Sequence, residues 1–252
     1  MRLHPLSVAE LDLATKKDLQ QLTALGGFPE PFLGGSRTEA RRWSREYRTR
    51  LIREDIATLE NIHDLGTLEL LALRLPLLVG SPLSINALRE DLQVSHKAVR
   101  RWMTILEHLY AIFRLSPFGA PHIRAVKKAQ KHYHLDWSLA GEEAPRIENL
   151  VAAHLLKWVH YRQDAEGREM ELRYFRDVDG REVDFVLLED GRPRSFIECK
   201  VGDAPASRGL RYLLERFPGT EAWQISLKGE KDFETPEGIR VCPALDYLRR
   251  LV

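Results

Sequence analysis

Two short apolar runs in the second half constrain this chain more than any other feature. In Val183-Asp184-Phe185-Val186 a carboxylate interrupts an apolar run. In Phe196-Ile197-Glu198-Cys199-Lys200 an acid and a base do the same. Strand alternation places residues i and i+2 on one face, so Glu198 and Lys200 share a face while Ile197 and Cys199 point the other way. Glu189-Asp190-Gly191-Arg192 lies between the runs and reads as a hairpin turn. Pairing of the two strands would bring Asp184 beside Glu198. Two carboxylates inside apolar strands are costly unless something compensates them. A divalent cation, Mg2+ or Mn2+, would do so, because carboxylate oxygens are the preferred ligands of Mg2+. Lys200 could then assist attack by water or stabilise negative charge on phosphorus. The same triplet also describes an ordinary exposed Glu–Lys pair beside a strand-end Asp, and by itself it is a weak signal.

The surrounding pattern extends the constellation. Residues 146–162 form an amphipathic helix through Ile147, Leu150, Val151, Leu155, Trp158 and Val159, with Glu148 in its first turn as a third carboxylate. Strand-like runs follow at 171–176, 182–188 and 194–201, then a helix at 206–216. A strand at 221–227, a short strand near 239–241 and a terminal helix at 243–251 complete the chain. Helix, three strands, helix, strand is an α/β layer arrangement.

The first half reads as mostly helical. Ser36 with Glu39 is a capping box that opens a helix carrying Trp43, Tyr47, Leu51, Ile52, Ile56 and Leu59 on one face. Arg37, Arg41, Arg42, Arg45, Arg48 and Arg53 line the other face, either as a strip for phosphates or as a solvated surface. Residues 67–79 predict a helix kinked near Pro76. Ser84 and Ser95 then cap two short helices. The first has Ile85, Leu88 and Leu92 as its apolar positions. The second has an apolar stripe of Val99, Trp102, Met103, Leu106, Leu109 and Tyr110, and His96, Lys97, Arg100 and Arg101 lie near its exposed start. Two short helices with basic residues opening the second describe a helix-turn-helix, a module that serves DNA in some proteins and protein partners in others. Ala111–Leu115 and His132–Leu135 predict the strands of a wing, with Arg124, Lys127, Lys128 and Lys131 between them. Over residues 89–131 there are 9 basic and 3 acidic side chains, which supports contact with phosphates. His132 and His134 share a strand face, but no Cys or third His stands at ligand spacing, so no zinc site is expected.

Composition bounds the remaining classes. At 252 residues, 44% hydrophobic and 30% charged, the chain has the make-up of a folded globular protein. No apolar run approaches the ~18 residues that would span a bilayer, and the start lacks a signal-peptide core. Cys199 and Cys242 make no disulfide framework, which predicts a reducing cytoplasm. The net charge of +1 hides an asymmetry: residues 1–140 carry 20 Lys+Arg against 15 Asp+Glu, and the remainder 18 against 22. A basic half beside an acidic half suits a nucleic-acid surface next to a cation site, and also arises by chance.

The order of these pieces resembles the PD-(D/E)XK nuclease superfamily. There a strand Asp precedes an acidic-x-Lys strand, and a Glu often sits on the preceding helix. The matching positions are Asp184, Glu198, Lys200 and Glu148, with Val183 where that superfamily loosely keeps a proline. A longer series runs through Gly26-Gly27-Phe28-Pro29-Glu30, Arg53-Glu54-Asp55, Tyr133-His134-Leu135-Asp136, Glu148-Asn149-Leu150-Val151, Tyr174-Phe175-Arg176-Asp177 and Glu182-Val183-Asp184-Phe185. Over residues 20–250 this is similar to the uncharacterised carboxy-terminal domain found behind AAA+ ATPase modules of bacteria and archaea. The resemblance implies a partnership with such an ATPase. Arg2-Leu3-His4-Pro5-Leu6-Ser7 resembles the end of its motor, so the sequence reads either as a piece of such a protein or as the product of a gene that lacks the motor. No G-x-x-x-x-G-K-[ST] occurs, so no ATP site of that kind is expected.

The expected architecture is therefore α+β in three parts: an N-terminal helical region at 1–66, a winged-helix-like domain at 67–140 and a nuclease-like α/β domain at 141–252. The expected function is Mg2+- or Mn2+-dependent cleavage of DNA. Asp184 and Glu198 would hold the metal, Lys200 and Glu148 would assist, and His96, Lys97, Arg100 and Arg101 would contact DNA. The competing expectation is a non-catalytic DNA-binding, regulatory or interaction module that keeps only the fold.

Overall fold

The computed structural model describes residues 2–56, 64–119 and 129–251, without the side chains of Asp55 and Ile56. Leu59 of the expected arginine-rich helix, and Arg124, Lys127 and Lys128 of the expected wing, lie outside the described residues. Within them the chain is a mixed α+β protein with nine α-helices and two sheets.

Helix α1 (Lys16–Leu25) is capped by Thr15, and α2 (Pro29–Gly34) follows it. In α3 (Arg37–Arg50) the Ser36 hydroxyl accepts the Glu39 N–H at 3.3 Å, as the cap signal predicts. α3 does not continue as one helix. It widens into a π-helical turn at Leu51–Ile56, where Leu51 and Ile52 both turn into the core. Arg37, Arg41, Arg42, Arg45 and Arg53 are exposed, but Arg48 is half-buried, and Arg42 and Arg53 pair with Glu39 and Glu69.

Helix α4 (Leu65–Arg74) tightens into a 3-10 turn at Leu75–Leu78 around Pro76, which has no N–H for an α-helical bond. A two-residue strand, β1 (Pro82–Leu83), precedes α5 (Ile85–Leu92) and α6 (His96–His108). The hydroxyls of Ser84 and Ser95 accept the N–H groups of Ala87 and Ala98 at 3.2 and 3.1 Å. Strands β2 (Ile112–Leu115) and β3 (Gln130–His134) pair antiparallel, and the sheet order is β1-β3-β2. Tyr110 does not share the apolar stripe of α6. The helix stops at His108, Tyr110 takes φ +54°, and its ring is 55% exposed while Ile105 fills the core.

The second half is built on α7 (Glu143–Glu166). It starts earlier than predicted because Pro145 sits in the first turn, where its missing N–H has no partner to lose. Glu148 therefore lies in the second turn, not the first. A six-stranded sheet follows, composed of β4 (Met170–Arg176), β5 (Glu182–Glu189), β6 (Arg192–Lys200), β7 (Glu221–Ser226), β8 (Phe233–Glu234) and β9 (Ile239–Pro243). Its order is β4-β5-β6-β7-β9-β8. β5 runs antiparallel to both β4 and β6. β6 then crosses through α8 (Arg208–Arg216) to a parallel β7. The β5–β6 turn is the predicted one: Asp190 and Gly191 take φ +50° and +71°, the pair of left-handed residues that a tight hairpin needs.

The sheet is packed on both faces. Phe185, Leu187, Ile197 and Ile225 join the core beneath α7, whereas Val183, Val186, Phe196, Leu210 and Leu213 form the core beneath α8. The first core also takes Val8, Leu19 and Leu22 from the N-terminal segment and Leu245 and Leu248 from α9 (Ala244–Leu248). Arg2 pairs with Asp164 and His4 with His160, so this segment runs along α7. Helices α4 to α6 enclose a separate core around Leu71, Val99 and Met103. Among the described residues no helix is long and apolar enough to cross a membrane.

Candidate functional site

The β5–β6 ladder ends at the pair Phe185–Ile197, one step short of Asp184 and Glu198. From there side chains take over the backbone hydrogen bonds. The Cys199 N–H donates to Asp184 Oδ2 at 2.8 Å, and the Asp184 N–H donates to Glu198 Oε2 at 3.4 Å. Each carboxylate thus leans across the opposite strand. On the other side of β5 the register with β4 slips: Arg173 faces Val186 and Phe175 faces Val183, so Asp184 and Phe185 together oppose Tyr174. This bulge releases Asp184 from strict alternation, and bulges commonly re-aim a side chain in this way.

Lys200 points into the same place. Its ammonium donates to Glu198 Oε1 at 2.6 Å and is one-third exposed. Glu148 arrives from α7, and there the site includes residues that the motif order did not single out. Tyr133 donates its hydroxyl to Glu148 Oε1 at 2.6 Å. Lys131, expected among the basic residues between the wing's strands, is 1% exposed and lies within β3. Its ammonium lies 2.6 Å from Glu182, 3.2 Å from Glu148 and 3.8 Å from Asp184. The alternation of β3 explains the grouping. Lys131 and Tyr133 share the face turned to the acids, while His132 and His134 share the opposite one. That alternation is the signal that could have placed Lys131, had the burial of β3 been known. Asn149 fastens β3 to α7 by accepting the His134 N–H at 2.9 Å and donating to the His134 carbonyl at 2.6 Å.

The electrostatics follow from burial. Lys131 sits among Glu148, Glu182 and Asp184, and Lys200 pairs with Glu198 on the other side of Asp184. Burial, with the charge of Asp184 beside it, pushes the Glu148 carboxyl up to about 7. Burial and Asp184 likewise push Glu198 up to about 8, against the opposing pull of Lys200. Burial raises Asp184 as well. Burial alone would lower Lys131, but Glu148, Asp184 and Glu182 outweigh it and hold the ammonium charged. The Lys131 ammonium stays ionised, yet its pull on Glu148 does not offset burial and the charge of Asp184. In donor chemistry and in surplus negative charge, Asp184 and Glu198 fit a hard divalent cation. Among the described residues no group of three His, Cys, Asp or Glu is gathered to hold a metal ion. Lys131 stands between Glu148 and Asp184 instead.

The predicted DNA-contacting residues lie elsewhere. His96, Lys97, Arg100 and Arg101 are all exposed on the first two turns of α6 and line a shallow groove with Thr104, Ile105 and His108. They do not join the acid site.

The fold and the acid–lysine cluster define an α+β protein with two family signatures. Residues 16–146, just over half of the chain, match the family described as Domain of unknown function (DUF8612). Residues 145–247 match the one described as Domain of unknown function (DUF4143), a domain often found in AAA-ATPase-associated proteins. The chain belongs to the DUF8612 family and carries the second signature over its acid site. No curated protein and no solved structure matches it.

Proposed function

We propose that the chain is a DNA-binding, Mg2+- or Mn2+-dependent nuclease-like module of the PD-(D/E)XK type, working beside an AAA+ ATPase in the cytoplasm. The observation that carries this reading is the meeting of Asp184, Glu198 and Lys200 at one end of two paired strands, with Glu148 delivered from the preceding helix. Helix, three antiparallel strands, helix and parallel strand supply the order such a core requires. The helix pair α5–α6 beside the sheet β1-β3-β2 supports reading this part as a winged helix, and α6 turns its basic residues outward.

Asp184 and Glu198 would hold the ion, which when bound would supply Lewis-acid polarisation of a phosphodiester. Lys200 keeps its ammonium charged at the mouth of the site and would offset negative charge developing on phosphorus. Glu148, with Oε1 engaged by Tyr133 and Lys131 and Oε2 lying against Gly80, would take a proton from an attacking water. A carboxyl held near neutral pH is suited to that exchange. The exposed start of α6 would position the duplex through its phosphates.

One observation favours a second reading, in which the module binds DNA or regulates an ATPase and keeps only the nuclease fold. Lys131 already places a positive charge among the acids. The deciding experiment incubates the protein with supercoiled, linear, single-stranded and forked DNA in Mg2+ or Mn2+, beside Asp184→Ala. The nuclease reading expects metal-dependent cleavage that falls by ~100-fold or more in the variant, the order lost when charge stabilisation of a transition state is removed. Tight DNA binding without cleavage supports the second reading.

A further inference from the structure

We infer that Lys131 is a positioning residue of the acid site, a resident cation carried by β3 that a divalent ion held by Asp184 and Glu198 must displace from beside Asp184. The inference rests on reading the acids as a cation site. It concerns a residue that the motif order places on the DNA-binding side of the molecule.

Three features carry it. The first is geometric. The Lys131 ammonium hydrogen-bonds Glu182 at 2.6 Å and Glu148 at 3.2 Å and lies 3.8 Å from Asp184, so a side chain only 1% exposed is engaged by acids rather than by water. The second is the anchoring of its backbone. β3 is the central strand of its sheet, and Lys131 stands in register with Pro82 on one side and Leu115 on the other. The Tyr174 hydroxyl donates to the Ala129 carbonyl at 2.5 Å, and the Lys131 ammonium lies 5.4 Å from the centre of the Tyr174 ring. The strand is paired on both sides, whereas the four-carbon stem is flexible, so the ammonium can withdraw while the strand stays in place. The third is the chemistry of competition. An ammonium and a divalent cation seek the same carboxylate oxygens and repel each other, and at these distances the two do not share the pocket. The affinity of the site for metal is therefore set partly by a side chain from the DUF8612 half of the chain, and filling of the site is tied to the position of β3.

The test measures Mn2+ affinity by calorimetry for wild type, Lys131→Met and Lys131→Arg. Met keeps the length of the stem and removes the charge. Removal of a like charge at this range predicts binding ~10-fold tighter or more for Lys131→Met, with Lys131→Arg remaining near wild type. Equal or weaker binding by Lys131→Met overturns the inference while leaving the metal reading intact, provided wild type binds. Absence of Mn2+ binding by all three proteins overturns both. If Lys131→Met does not fold, wild type decides through reductive methylation of its lysines followed by mass spectrometry. Lys131 should resist modification without metal and become reactive at saturating Mn2+. Unchanged reactivity overturns the inference.

Discussion

At the scale of single residues, protonation governs the acid site. Glu148 and Glu198 keep their protons to about 7 and about 8, whereas an unfolded chain releases them near the ordinary 4.5. Between those values the folded protein binds more protons than the unfolded one, so metal-free stability falls as pH rises. Glu198→Gln removes one of these groups. In EDTA it should match wild type near pH 4.5 and exceed it at pH 8 by on the order of 1–3 kcal/mol, since one pKa unit is worth ~1.4 kcal/mol. Urea denaturation across that range checks the prediction, and parallel profiles for the two proteins would contradict it. The grouping of Asp184, Glu198 and Lys200 was legible in the sequence because a strand has a period of two and their run is otherwise apolar. Lys131 and Glu182 were not legible as members. A lysine in a basic stretch looks like surface, and only the packing of β3 against α7 and β5 buries it. Tyr133 was visible as part of a family series, but its bond to Glu148 depends on that same packing.

At the scale of elements, the approach of α8 to β5 holds one side of the site. Gly209 lies in the first turn of α8, and a Cβ there would come 2.1 Å from the Glu182 carbonyl oxygen and 2.9 Å from Val183 Cγ2. In a helix Ala is ordinarily favoured over Gly by up to ~1 kcal/mol. Here the sign should reverse. Gly209→Ala must push the helix off the strand at a cost of ~1–3 kcal/mol, and it should also change Mn2+ affinity because Glu182 and Asp184 move with that strand. Gly191→Ala serves as the control. Its Cβ meets nothing within 4 Å, so the variant should lose only ~1 kcal/mol for the left-handed backbone and bind Mn2+ as wild type does. Guanidinium midpoints with metal titrations of both variants separate the two effects. The helix caps at Ser36, Ser84 and Ser95 and the Asp190-Gly191 turn were readable because each is a local signal with its own hydrogen bond or dihedral demand. The π-helical turn after α3 and the bulge at Asp184 were not, because both are imposed by what packs against them. β1 and β8, two residues each, are too short to show a period.

At the scale of the whole molecule, a basic helix and an acidic pocket occupy different places on one chain. If α6 reads a duplex through its phosphates, replacing Lys97, Arg100 and Arg101 together with Ala should weaken binding to all DNA sequences alike. The slope of log affinity against log salt should shrink by about 2–3, near 0.9 for each lost phosphate contact. Fluorescence anisotropy at several salt concentrations measures it, and an unchanged slope would assign α6 to a protein partner. The acid site should be indifferent to these replacements, since the three residues lie outside it.

The packing of Val8, Leu19 and Leu22 against the same core as Leu245, Leu248 and Leu251 has a consequence for how the protein comes into being. A ribosome makes Leu22 long before Leu251, and at ~5–20 residues per second the interval is ~10–50 s. Throughout it the early leucines have a face and no complete partner. The early segment can gather β3 and α7 in that interval, but its core stays open on one side until α9 emerges to close it.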